Sequence, residues 1–137
     1  MAQVYLLSVA SLILGGMLAA SGFISRRISA LAGIADLAEH RSLVITVGIV
    51  SVLVGIAKFF LRAPGDTVPV AGDLLPALAG IIVGLVLLLD KTSYGESGGE
   101  DAVQQGRQAL LNYRDPIGLA AVLVGIVHFL FPAVVIL

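Results

Sequence analysis

The chain contains no cysteine and no tryptophan, and only 12% of its 137 residues are charged. Without cysteine there is no disulfide, no thiolate nucleophile and no Cys-ligated metal. Soluble domains carry about a quarter charged residues. Half that share, with 58% hydrophobic content and a mean hydropathy of +1.06, points to a membrane protein. The net charge of −1 leaves no broad basic face for nucleic acid.

Other absences narrow the function. No Asp or Glu falls within any long apolar run, whereas proton- or sodium-coupled transporters generally change the charge of an embedded carboxylate. Phosphate-binding glycine loops, paired catalytic carboxylates and a Ser/His/Asp set within one compartment are all missing, so no enzyme activity is expected. The two histidines, His40 and His128, fall on opposite sides of the expected membrane, which gives poor metal or haem ligation. Neither a metal nor a cofactor is expected. The acidic run "ESGGED" fits no Ca²⁺-loop spacing.

What is present is a set of four apolar segments, 4–24, 43–61, 74–89 and 116–137. About 20 apolar residues cross a hydrocarbon core of roughly 30 Å. The expected fold is therefore an all-α, four-span bundle forming a single domain. The first segment lacks a basic leader and reads as a retained helix. Connections fall at 25–42, 62–73 and 90–115. The first is short and amphipathic, and 102–113 in the third reads as a surface helix. Asp73 and Asp115 precede spans three and four as expected helix caps, with Pro116 at the first helical position.

Charge sets the expected orientation. Connections one and three carry six Lys/Arg (Arg26, Arg27, Arg41, Lys91, Arg107, Arg114), against Arg62 with nearby Lys58 on the other side. The positive-inside rule then puts both termini and the 62–73 loop outside a cytoplasmic membrane of bacterial type.

The segments repeat. "VLVGIAKFF" from Val52 and "VLVGIVHFL" from Val122 align at an offset of 70 residues, which also pairs Gly48 with Gly118 and Ser51 with Ala121. Spans one and three align at 69, pairing Ser11 with Gly80 and Gly15 with Gly84. This predicts two parallel helix hairpins, 1–2 and 3–4, related by an axis along the membrane normal. Every span carries a small-residue face: Ser11/Gly15/Ala19, Ser51/Gly55, Gly80/Gly84 and Ala121/Gly125. Such faces let helix backbones approach closely in lipid. They either pack the four helices on one another or build an oligomer.

The repeats diverge at Lys58 and His128. Lys58 either snorkels to the headgroups or, with Arg62, forms an anion site with Asp66 or Asp73 as counter-charges. His128 lies 12 residues past Pro116, about 18 Å along a helix, just past the expected midplane. There it either bonds a neighbouring helix as neutral imidazole or serves a proton relay, quinone or ligand. Two functions are carried forward. One is a scaffold or accessory subunit acting by helix packing, as a homo-oligomer or in a larger complex among membrane lipids. The alternative is a small transporter, channel or lipid/quinone-binding protein with an outward basic pocket at Lys58, Arg62 and His128.

Overall fold

The computed structural model describes residues 2–60, 71–92 and 101–131, and within them the chain is all-helical. Helix α1 spans Ala2–Ala19, α2 Ser21–Arg27, α3 Gly33–Glu39 and α4 Arg41–Phe60. Helix α5 spans Ala71–Lys91, α6 Asp101–Asn112 and α7 Arg114–Leu130. The windows Arg41–Lys58 and Leu74–Lys91 are long and apolar enough to cross a bilayer. Two bent pairs, α1 with α2 and α6 with α7, bring that number to four if each counts as one span.

The expected first segment divides at Ala20, where α2 turns 75° from α1. Backbone bonding explains the break. Phe23 N–H donates to the carbonyl of Ala20 at 3.0 Å, so the Ala19 carbonyl loses its helical donor and accepts from Arg114 Nε at 3.0 Å instead. The 58° bend between α6 and α7 has a different cause. Pro116 offers no N–H to the carbonyl of Asn112, and its ring crowds that carbonyl. The helix breaks at Tyr113 as a result.

This arrangement corrects the expected cap. Helix α7 begins at Arg114, and its N-cap residue Tyr113 makes no side-chain cap bond. Asp115 and Pro116 stand second and third in the helix. α6 feeds α7 through a single residue, so no separate capping turn exists, and proline is tolerated anywhere in the first turn. Asp73 is likewise inside its helix, as the third residue of α5. The expected fourth segment is described only to Phe131, and Arg62 lies outside the described residues.

The closest-packed pairs are α4 with α5 and α1 with α7, not the sequence hairpins. α1 and α5 meet at the centre, while α4 and α7 occupy opposite flanks. Glycine makes both tight crossings. A Cβ on Gly84 would lie 2.6 Å from the Gly48 carbonyl oxygen and 2.9 Å from Val52 N. A Cβ on Gly16 would lie 2.6 Å from the Gly118 carbonyl oxygen and 3.0 Å from Val122 N. The two crossings are copies of one another.

That equivalence corrects the register of the inner pair. Gly48/Gly118 and Val52/Val122 keep the offset of 70, but Gly16/Gly84 sets 68 for α1 and α5, where the sequence reading used 69. At 68, Leu6, Leu7 and Ile13 also meet identical residues, Leu74, Leu75 and Ile81. Apolar helices match about equally well at neighbouring offsets, and only the backbone approach separates them. Gly15 then pairs with Val83, and the two touch: a Cβ on Gly15 would lie 2.9 Å from Val83 Cγ1. Contact between equivalent residues places them at the pseudo-two-fold axis. The core around it comprises Leu12, Leu18, Ala19, Val44, Val83, Val86, Leu87 and Ala121.

Gly84→Ala and Gly118→Ala force a methyl against backbone and are each expected to cost about 1–3 kcal/mol of stability. Gly106→Ala, on α6 with open space around its Cα, should be neutral or stabilising by up to about 1 kcal/mol. Unfolding titrations in detergent followed by circular dichroism compare the three. Equal behaviour would contradict the close-approach assignment.

Candidate functional site

The repeat ends in a contact between its two divergent residues. Lys58, in the last turn of α4, places Nζ 3.2 Å from Nε2 of His128, in the last turn of α7. An ammonium can only donate. With Lys58 charged, the bond therefore needs an unprotonated Nε2, and His128 carries its ring proton on Nδ1. Both residues stand at helix C-termini, where the macrodipole favours positive charge.

Tyr5, near the start of α1, completes the cluster. Its hydroxyl donates to the main-chain carbonyl of His128 at 2.7 Å and reaches that of Phe129 at 3.3 Å. These carbonyls lie in the last turn of α7, where intrahelical donors run out. The Tyr5 ring sits 5.1 Å from the imidazole and 6.0 Å from Lys58 Nζ. His128 is only 4% exposed. With Phe131 as the C-cap of α7, His128 lies one turn from the end of that helix.

A line of hydroxyls runs inward from the cluster along α1. Ser8 Oγ donates to the carbonyl of Tyr5 at 2.8 Å, Ser11 Oγ to that of Ser8 at 3.0 Å, and Ser51 Oγ to that of Ser11 at 3.4 Å. All three serines are buried. At the offset of 68, Pro76 and Ala79 replace Ser8 and Ser11, and Ala121 replaces Ser51 at 70. The backbone is two-fold while the polar line is one-sided.

The small residues singled out in the sequence all face neighbouring helices of the same chain. Gly55 meets Ala77 and Ile81, Gly48 meets Leu88 and Gly84, Gly80 meets Ser51 and Leu12, and Gly125 meets Leu12 and Ile13. Gly118 meets Gly16 and Ala20, and Ala121 is 2% exposed. Of the proposed counter-charges, Asp66 lies outside the described residues, and Asp73 sits in the first turn of α5. Among the described residues no three His, Asp or Glu side chains converge as metal ligands.

Sequence reasoning missed Tyr5 and a second polar cluster at the opposite end. There Arg114 Nη1 donates to Asp90 Oδ1 at 2.8 Å while its Nε donates to the Ala19 carbonyl. Arg107 donates to the carbonyls of Leu89 and Thr92 at the end of α5. From the sequence, Arg107 and Arg114 count only as charges that set orientation. Their structural signal was the spacing of seven residues, which reaches the end of α5 from two helices. Arg26 and Asp115 pair at 3.9 Å with Arg26 largely exposed, a contact of little energetic weight.

Residues 1–128 match the profile of a protein family that carries no functional description. The chain belongs to that family. No curated protein and no solved structure matches it.

The Lys58–His128 contact should appear as an energetic coupling. In a double-mutant cycle with Lys58→Met and His128→Leu, a coupling of about 0.5–3 kcal/mol is expected. Tyr5→Phe should cost about 1 kcal/mol for its one lost bond. Additive effects in the cycle would show that the two side chains do not interact.

Proposed function

We propose that the chain is a four-span integral membrane protein whose working part is the Tyr5–Lys58–His128 cluster. On this reading it binds a ligand bearing an oxygen acceptor, such as a carboxylate, a phosphate or a quinone carbonyl. The ligand enters from the end of the bundle where α1 begins and α4 and α7 finish. The observation that carries the reading is the 3.2 Å contact between two basic side chains, one of them almost fully buried.

The energetic argument is one of cost. Ionisable groups within an apolar bundle lose hydration, and a well-packed hydrophobic pair in their place is often as stable or more so. Helix dipoles at the C-termini of α4 and α7 offset part of that cost. Positive charge with N–H donors, next to an aromatic ring, suits an oxygen acceptor. The membrane reading draws on the long apolar helices and on the aliphatic exterior, where Leu6, Leu14, Leu53, Leu123 and Leu130 are each more than half exposed.

A scaffold or accessory role is the second reading. The small-residue faces are buried inside the chain, so such a role would use the large aliphatic exterior instead of glycine contacts. Partner subunits would then co-purify, and changes at Lys58 and His128 would leave them bound.

Native mass spectrometry of protein gently solubilised from its own host separates these readings. The expected result is a bound acceptor-bearing ligand on the wild type that is lost in Lys58→Met and in His128→Leu. Partner subunits retained in all three proteins, with no such ligand, would overturn the binding reading.

Orientation is tested on the cysteine-free background. Gln3→Cys should react with a membrane-impermeant maleimide in intact cells, while Ser29→Cys should be protected. The reverse pattern would invert the proposed topology.

A further inference from the structure

We infer that the groove at the bend between α6 and α7 is a binding site for one acyl chain of a membrane phospholipid. The inference rests on the membrane reading above and not on the Lys58–His128 site. The groove is a broadly open surface depression of about 440 Å³, lined by Ala109, Leu110, Tyr113, Pro116, Ile117 and Ala120. Apart from the tyrosine hydroxyl, every lining side chain is apolar. Its shape follows from the 58° turn at Tyr113, which opens a wedge between a helix leaving the bundle and one running along it.

Three features select an acyl chain as the occupant. First, the groove heads a continuous apolar stripe down α7. Pro116, Ala120, Leu123 and Leu130 are exposed and Val127 is half-buried, at helical spacings that keep them on one face. The stripe is about 21 Å long, longer than one hydrocarbon leaflet of roughly 15 Å. Second, α6 suits the headgroup layer. None of its residues is buried, Gln104, Gln105, Gln108 and Asn112 are exposed, and Tyr113 at the rim is 65% exposed. Tyrosine concentrates at that boundary.

Third, the stripe is poorly suited to another copy of the chain. Helix association in lipid favours small residues that admit a close backbone, and in this molecule those residues are already spent on the internal crossings. Leu123 and Leu130 hold a neighbouring helix away, yet offer methyl and methylene surface to a flexible chain. An unfilled apolar wedge facing lipid would forfeit dispersion contacts along its whole lining. An acyl chain restores them without ordering a partner.

The test uses the full-length protein in vesicles containing a phospholipid with a photoactivatable diazirine in one acyl chain. Labelling should concentrate on the peptide spanning Ala109–Leu123. Ala120→Trp fills the groove from an exposed position and should reduce that labelling by about fivefold. Leu53→Trp, on the exterior of α4, should leave it unchanged. Even labelling around the bundle, unchanged labelling in Ala120→Trp, or protein-to-protein cross-links from the groove would each overturn the site. Failure of the membrane reading itself looks different: alkaline carbonate would then strip the wild-type chain from the vesicles.

Discussion

Two backbone crossings hold the bundle in register: Gly48 against Gly84 and Gly16 against Gly118. Each brings a carbonyl so close to the opposite helix that one methyl group would collide with it. Once those crossings are fixed, the remaining packing follows. Both crossings set α1 against α5 at the centre, with Gly15 beside Val83 and Leu12 near Gly80. α4 and α7 are left on opposite flanks. The flanking helices come together near their C-terminal ends, where Lys58 reaches His128.

The same constraint explains how symmetry and chemistry coexist. The glycines copy the backbone of one half onto the other, yet impose nothing on side chains lining the axis. One half is free to carry Tyr5, Ser8, Ser11 and Ser51 while the other carries Pro76, Ala79 and Ala121 at the matching backbone positions. Each serine hydroxyl bonds a carbonyl on its own or the adjoining helix, so a polar line crosses an apolar interior without leaving its donors exposed. The asymmetry ends at the pair of bases. A two-fold backbone thus presents a single, one-sided polar cluster.

Much of the helical layout was legible in the sequence, because apolar length and Pro/Gly punctuation are local signals. The pairing of Lys58 with His128 was also present, as the point of divergence in an otherwise matched motif. Three things were not legible. The inner register slipped by one residue, since Ile13 and Gly15 find good partners at 69 as readily as Ile13 and Gly16 do at 68. The bend at Ala20 has no proline or glycine at the residue itself, and the Ala19 carbonyl it frees is taken up by Arg114, 95 positions away. Tyr5 looked like any aromatic near a helix start, and its role depends on where α7 ends.

Arg114 has a mechanical consequence. It belongs to the first turn of α7, yet one of its nitrogens holds the carbonyl at which α1 gives way to α2, and another holds Asp90 at the end of α5. The bent segment α2, with Phe23 and the Arg26–Arg27 pair, is therefore not a passive appendage. Through that one side chain the start of α7, the break after α1 and the end of α5 are fastened to one another, so three helix termini share a single anchor.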